Sequence, residues 1–493
     1  MRLYLINPFN PLVSLANVRE SRWNRYRIWK PLGLLVLGGL TPPQWDITVI
    51  DENLALPDYA TMPPPDLVGI TAFTSQASRA YDVAAEFRGR GVPVVMVGIH
   101  ATMCRDEAMA HADSVVTGEA EGVWGQVLAD AEAGCLERIY AGEHVDMADI
   151  PVARHDLLNE GYAFGSIQTT RGCPLNCSFC SVSAFNGQQY RHRPIDQVIA
   201  EMRTIREKMV LVVDYNLIGT SAAHIERAKE LFRAMIAADL GKRWICQVTI
   251  NMADDEELLE LAVQAGCRGV FIGFESPTAE GLAEVGKKFN LLKGRNFRQS
   301  VRRIQRHRIL VVGSFIMGLD SDERGIGKRI AQAARDYGVD ILNALFLTPL
   351  PGTRLWDHME GDGRIAADEF PGDWRFYTLG FPTAHYQNFS WSEIVSEMNA
   401  CDEGFYSLCG ILRRVGGNLL RRRQPLVSLV SNLSYRSNAR LSRKSYGALD
   451  LRRGRCVSHP SHRKEPLPQR LAEHMRLGRH PQVGTNSPVG SKA

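Results

Sequence analysis

The chain has 493 residues, 45% hydrophobic and 23% charged, ordinary globular values that exclude wholesale disorder and fibrous architecture. Such a length makes roughly two to four compact units. The formal charge of +4 is too small to imply a nucleic-acid partner for the chain as a whole. It is unevenly placed, because residues 411–456 hold 12 Lys/Arg and one acidic residue, Asp450.

The N-terminal MRLYLINPFN reads as a first β-strand rather than a signal peptide. Residues 31–40 (PLGLLVLGGL) are the nearest approach to a membrane span. They fall short of the roughly 18 apolar residues that a span needs. The expectation is a cytoplasmic protein whose cysteines are free, buried or metal-bound rather than paired in disulfides.

Short apolar runs at residues 2–6, 46–50, 67–71, 94–97 and 114–117 alternate with helical patterns such as 75–88 and 119–132. The alternation predicts an α/β fold that opens with a doubly wound, Rossmann-like domain over residues 1–140. Ligands of such sheets bind beyond the carboxyl ends of the strands, where the strand order reverses. Residues 141–165 read as a linker.

A second alternation follows, with strands predicted at 167–170, 210–216, 244–249, 269–275, 311–317 and 341–347. Helices fill the gaps at 195–207, 222–238, 254–265, 293–306 and 326–337. Six βα units predict a partial, TIM-like (β/α)6 barrel over residues 166–365, with functional residues at the carboxyl ends of its strands. A mostly helical, basic extension is expected over 366–457. Residues 458–493, rich in Pro, Arg, His, Gly and Ser, read as a disordered tail.

The strongest local signal is the run Arg171-Gly172-Cys173-Pro174-Leu175-Asn176-Cys177-Ser178-Phe179-Cys180, directly after the first barrel strand. Three cysteines spaced C-x3-C-x2-C suit a metal centre with one position left open. A structural zinc site or an ordinary iron–sulfur cluster closes with a fourth ligand. His155 and His192 are the nearest in sequence, so a zinc loop completed by a distant residue is the competing reading.

Cys173, Cys177 and Cys180 resemble the signature loop of the radical S-adenosylmethionine (SAM) enzymes. The resemblance implies that they ligate three irons of a [4Fe–4S] cluster, with SAM chelating the fourth iron. An electron from the cluster then cleaves SAM to methionine and a 5′-deoxyadenosyl radical. It further implies SAM contacts at Phe179, beside the cluster loop, and at Asp214, Gln247 and Glu275, which end the second, third and fourth strands. Gly313, Ser314 and Gly318 on the fifth strand correspond to backbone passing adenine. Arg191, His192 and Arg193 read either as contacts to SAM or the cluster, or as solvated charge before a helix.

The N-terminal domain resembles the cobalamin-binding domain that precedes the barrel in one radical SAM subfamily. The resemblance rests on residues 66–71 (DLVGIT), 98–102 (GIHAT) and 117–121 (TGEAE). It implies contacts to the corrin or its nucleotide tail from Thr71, Gly98, His100, Thr102, Gly118 and Glu119. No D-x-H-x-x-G stretch occurs, so binding with a histidine on cobalt is not indicated. With both cofactors, the implied activity is methylation of an unactivated carbon in a hydrophobic or natural-product-like small molecule. An external flavodoxin- or ferredoxin-like one-electron donor belongs to that chemistry.

Residues 347–355 (LTPLPGTRL) and 432–436 (NLSYR) look like those of hopanoid C-methylases and related lipid-tailoring enzymes. That likeness implies an isoprenoid-type substrate. The basic segment 411–456 reads as a peripheral contact with the inner face of a membrane, or as a helix packed on the barrel. No stacking aromatics accompany its arginines, which argues against nucleic acid. A radical cyclase or rearrangement enzyme on the same scaffold, or a cobalamin- or redox-sensing binding protein, are the other readings.

Overall fold

Consecutive aliphatic residues buried on both faces are what a parallel sheet requires, and the chain builds two such sheets. A computed structural model describes residues 1–10, 12, 28–420 and 424–458. The first sheet contains β1 (Arg2–Asn7), β2 (Asp46–Asp51), β3 (Leu67–Thr71), β4 (Val94–Val97), β5 (Ser114–Gly118) and β6 (Ile139–Gly142). All are parallel, in the order β2-β1-β3-β4-β5-β6. The order reverses between β1 and β3, which puts the ligand crevice of a doubly wound sheet beyond Asn7 and Thr71.

β6 was not legible as a strand. It is short, exposed at alternate residues and ends in Gly142, yet it extends the sheet by pairing with Val115–Gly118. The expected boundary at residue 140 therefore falls inside a strand. The apolar run after Pro31 is the helix Leu32–Leu40, which buries Leu34, Leu35, Val36 and Leu37 against this sheet. Among the described residues no helix is long and apolar enough to cross a membrane.

The second sheet contains β7 (Gly165–Ile167), β10 (Met209–Val212), β11 (Arg243–Gln247), β12 (Cys267–Glu275), β13 (Leu310–Met317) and β14 (Ile341–Phe346). It is parallel throughout, in that order. Two short strands between β7 and β10, namely β8 (Thr170–Arg171) and β9 (Arg191–His192), pair antiparallel and bracket the cysteine loop. The sheet is open, with β7 and β14 at its edges. At the β7 edge, Trp29 bridges to Phe164 and the buried Lys30 ammonium sits 2.9 Å from Glu207.

Side chains alternate across a strand, and burial follows the alternation. Val210, Trp244, Cys246, Val270, Ile272, Phe274, Val311 and Phe315 are fully buried beneath the surrounding helices. Their neighbours Leu211, Ile245, Phe271, Gly273, Ser314, Asn343 and Leu345 are half-buried, and Gln247 is exposed. The strand register puts this second set on one face, which is the accessible inner face of the partial barrel.

The C-terminal extension packs an aromatic stretch and three helices, Trp391–Tyr406, Leu408–Leu420 and Pro425–Ser445. Ser390 and Glu393 form a reciprocal cap at the start of the first. Residues 421–423, and the expected tail apart from Ser458, lie outside the described residues.

Candidate functional site

The cysteine loop begins where Gly172 turns the chain at φ +78; a Cβ there would lie 2.1 Å from the Gln189 carbonyl oxygen. Only glycine takes that conformation without strain. Four backbone contacts fix the loop: Cys173 N–H donates to Gly187 O, and Ser178 N–H to Val285 O, each at 3.3 Å. Leu355 N–H donates to Ser178 O at 3.0 Å and the Arg354 guanidinium to Asn176 O at 2.7 Å. The exits of β12 and β14 thus hold the cysteines in place. Cys173 and Cys177 are buried and Cys180 half-buried.

Burial pushes the Cys177 thiol up to about 12 and the Cys173 thiol in the same direction, while the Lys287 ammonium pulls both back. Thiols held neutral by burial ionise when a metal takes them. Among the described residues no three His, Cys, Asp or Glu side chains converge on one metal-ion position. Cysteines that bind different irons of one cubane do not need such convergence, and the donor set fits a cluster held by three thiolates.

Lys287 is the charged group at this site that sequence reasoning missed. Its Nζ lies 2.9 Å from Glu275 Oε1. Burial works against the ammonium, but Glu275 and the thiols of Cys177 and Cys173 outweigh it and hold the proton. Glu275 itself sits at φ +63, a left-handed conformation rare outside glycine. Gly273 leaves room for the pair, since a Cβ there would lie 2.1 Å from Glu275 Oε1. The carboxylate expected at the SAM ribose is therefore committed to a lysine beside the cysteines.

Asp214 is fully buried, and its two oxygens accept from Thr169 N–H at 2.6 Å and Thr169 Oγ1 at 2.5 Å. Burial raises its pKa against those hydrogen bonds. It braces the segment leading into the cysteine loop instead of facing the cavity. Gln247 and Ser314 do face it, and Asn343 Nδ2 reaches Ser314 Oγ at 3.4 Å. Phe179 is half-buried against the core beside Cys180. Gly313 points the other way: a side chain there would strike Val339 and the Phe274 ring outside the sheet. Its smallness answers to packing on that side.

The first domain meets the barrel with the carboxyl ends of its strands. Beyond β5, Glu119 is 2% exposed and accepts from Arg191 Nη1 at 2.9 Å, with Arg171 Nη1 at 3.2 Å. Arg171 also pairs with Glu121. Burial acts to raise the Glu119 pKa, but Arg191, Arg171 and the Val145 N–H hold the carboxyl at about 2. Arg193 pairs with buried Glu201 at 2.8 Å. Glu119 is thus an interdomain clamp and not an open corrin contact, while Arg191 and Arg193 are neither cluster contacts nor solvated charges. His192 is exposed.

His100 is likewise enclosed, at 0% exposure. Its Nε2 lies 2.8 Å from Tyr81 Oη, which donates to Glu107, and Trp374 Nε1 of the C-terminal extension donates to the same carboxylate. This network holds the ring where a cofactor contact is expected and leaves none of it exposed. Thr71, Gly98, Thr102 and Gly118 do cluster at the strand ends. Gly98 has φ +94, and a Cβ there would lie 2.7 Å from Thr71 Oγ1. Thr102 Oγ1 donates to Gly98 O at 2.9 Å and accepts from Gly118 N–H at 3.0 Å. Phe73, just past β3, is 66% exposed beside them, an apolar platform that its sequence context did not single out.

Residues 167–325 match the radical SAM superfamily. The bacteriochlorophyllide d C-12(1)-methyltransferase of Chlorobaculum tepidum is 30% identical over 347 residues, covering 67% of this chain and 74% of that one. The hopanoid C-2 methylase of Rhodopseudomonas palustris is 27% identical, covering 69% of this chain and 66% of that one. TsrM from Kitasatospora setae, a radical SAM methyltransferase solved with cobalamin and a [4Fe–4S] cluster bound, superposes with a TM-score of 0.54 at 17% identity over 74% of this chain and 75% of that one. OxsB, a cobalamin-dependent SAM radical enzyme solved with aqua-cobalamin and SAM, gives 0.62 at 12% identity over 90% of this chain and 72% of that one. At those identities the two structures share the fold. Given 30% identity to a methyltransferase along 74% of its length, with the cysteine loop inside the matched family segment, the chain belongs to the radical SAM superfamily.

Proposed function

We propose that this chain is a cobalamin-dependent radical SAM C-methyltransferase acting on a hydrophobic small molecule. The observation that carries the reading is the facing of two strand-end surfaces. The three-cysteine loop lies at the carboxyl ends of one parallel sheet, and the glycine- and threonine-rich crevice lies at the carboxyl ends of the other. The Glu119–Arg171–Arg191 clamp locks them together. When bound, the cluster supplies the electron for SAM cleavage, and cobalamin supplies a transferable methyl group.

Cys173, Cys177 and Cys180 hold the cluster, and Lys287 balances its negative charge. Phe179, Gln247 and Ser314 border the space for SAM. Thr71, Gly98, Thr102 and Gly118 supply small side chains and hydroxyls to a large ligand. The apolar inner row Leu211, Ile245, Phe271 and Leu345 suits a hydrophobic substrate and keeps water from a reactive centre. Relatives named for a hopanoid and for a bacteriochlorophyllide support a polycyclic isoprenoid or tetrapyrrole substrate class. A flavodoxin- or ferredoxin-like donor and a peripheral membrane contact of segment 411–456 complete the reading.

The test is anaerobic purification with iron, sulfide and cobalt quantified per chain, followed by assay with SAM and a reductant. Formation of methionine and 5′-deoxyadenosine is expected, and its absence overturns the enzyme reading. Cys173→Ala, Cys177→Ala and Cys180→Ala abolish cleavage, whereas Cys135→Ala and Cys456→Ala leave it intact. A product one methyl heavier than its substrate separates methylation from cyclisation, which adds no carbon.

A further inference from the structure

In the helical layer outside the barrel sheet, a cleft of about 950 Å³ opens between the helices Phe297–Arg306, Ile326–Tyr337 and Leu408–Leu420. Six arginines and two aspartates line it. Arg298, Arg302 and Arg306 recur every four residues on the first helix, which sets them in one row about 6 Å apart along its axis. Arg335 comes from the second helix, and Arg413 and Arg414 from the third. Gly410, Arg413, Arg414 and Gly417 share one face of that third helix, and the two glycines put no side chain into the space.

Arginines elsewhere on the barrel find carboxylates: Arg295 pairs with Asp254, and Arg233 with Glu226 and Glu257. The six in the cleft form no ion pair among the described residues, and Arg298, Arg302, Arg306 and Arg413 make no hydrogen bond there either. The two acids are engaged with neutral groups. Asp340 accepts from Gln305, Val311 N–H and Asn418, and Asp336 from Gln332. Arg335 donates to Gly404 O and Gln332, and Arg414 to Asn432 and Phe405 O, with its guanidinium over the Phe405 ring. Burial pulls the Arg414 guanidinium down to about 10, and Arg335 acts in the same direction, against Tyr406 and Asp340. Like charges four apart on a helix repel and destabilise it. The row therefore costs the fold stability, and an anion in the cleft removes that repulsion.

We propose that this cleft is a binding site for a polyphosphate chain, held lengthwise along the Arg298–Arg302–Arg306 row and faced by Arg413 across the cleft. The planar guanidinium fork matches phosphate oxygens bidentately, and a row of three suits an extended anion better than a single phosphate. Among the described residues no aromatic side chain lines the cleft, so none there stacks on a base. The phosphate chain is the part recognised, whether it is inorganic or belongs to a nucleotide. The site is separate from the cysteine loop, and the inference rests on none of the proposed radical chemistry.

The test is isothermal titration calorimetry of the full chain with sodium tripolyphosphate, orthophosphate and ATP at low ionic strength. Saturable binding of tripolyphosphate is expected, weakened by added salt, with orthophosphate bound far more weakly. Arg302→Gln and Arg306→Gln each weaken it about tenfold, the worth of one hydrogen bond to a charged group. Arg303→Gln removes the same charge from the same helix but outside the cleft lining, and leaves binding nearly unchanged. Without ligand, Arg302→Gln raises the thermal midpoint because it relieves repulsion from both neighbours, so its lost affinity is not lost folding. Equal affinity for ATP and tripolyphosphate supports recognition of the chain alone, and tighter ATP supports a nucleotide as its source. Absence of binding at low salt, or equal weakening by Arg303→Gln and Arg302→Gln, would overturn the inference. Orthophosphate bound as tightly as tripolyphosphate would overturn it too, leaving an adventitious ion only. So would tighter binding of a single-stranded oligonucleotide, which would make the cleft a nucleic-acid groove.

Discussion

Lys287 and Glu275 form a buried ion pair with Nζ 2.9 Å from Oε1, and the same ammonium is the cation that acts on the Cys177 and Cys173 thiols. A fixed positive charge beside an anionic cluster favours its reduced form. Lys287→Met is expected to lower the reduction potential of the reconstituted cluster by tens of millivolts, read by redox titration under electron paramagnetic resonance. It also strands a buried carboxylate, costing about 3–5 kcal/mol in denaturant unfolding. Lys287→Met with Glu275→Gln recovers most of that stability and, because the carboxylate also acts on Cys177, part of the potential. An unchanged potential in both variants would reduce the pair to a packing device.

Glu119 links the domains through Arg171 and Arg191, and its carboxyl is held at about 2. A carboxylate held below its unfolded value of about 4.3 stabilises the native state above that value, and this contribution is lost as pH falls toward 2. Thermal unfolding followed from pH 5 downward (about two to three pH units) should steepen in this window, and Glu119→Gln should flatten it. At neutral pH the substitution leaves two arginines short of a counterion and costs about 3 kcal/mol. The check is faster hydrogen exchange across residues 171–191, ahead of global unfolding.

Much of this architecture is legible in the sequence because it is local. Apolar runs of four to six residues mark the strands of both sheets, and Cys173, Cys177 and Cys180 fall within one turn of chain. What escaped depends on partners distant in sequence. Nothing about Glu119 in TGEAE tells that Arg191, which follows it by 72 residues, neutralises it. A lysine in the run GKK gives no sign of being buried against a carboxylate. Nor does the sequence show that Phe274, from the neighbouring strand, fills the space a side chain at Gly313 would need. Asn343, a polar break in the apolar strand ILNALF, did carry a readable signal.

Asn343 and Ser314 are the polar pair on the inner face of β13 and β14, with Nδ2 and Oγ 3.4 Å apart. That contact is long for a hydrogen bond, so both groups have capacity left for a bound molecule. Asn343→Leu keeps the volume and removes the donor. It should raise KM for SAM or for the substrate about tenfold, the value of one net hydrogen bond, with cluster content and potential unchanged. A fall in kcat with KM unaltered would instead assign the pair to the reacting centre.

Asp322 accepts from Gly318 N–H and Leu319 N–H at 2.9 and 3.0 Å where the chain leaves β13. Burial outweighs those donors and pushes its carboxyl up to about 7. For an acid raised above its unfolded value of about 3.9, the native state binds the proton more tightly. Stability therefore falls as pH rises from about 4 to about 7 and stays low above that. Asp322→Asn retains an acceptor for both backbone groups and carries no charge. It should match the wild type near pH 4, exceed it on the order of 3 kcal/mol above pH 7, about where the native carboxyl has ionised, and lose the pH slope between. Denaturant midpoints at the two ends of that range decide the matter, and a variant less stable than the wild type at both would show that the turn depends on the carboxylate itself.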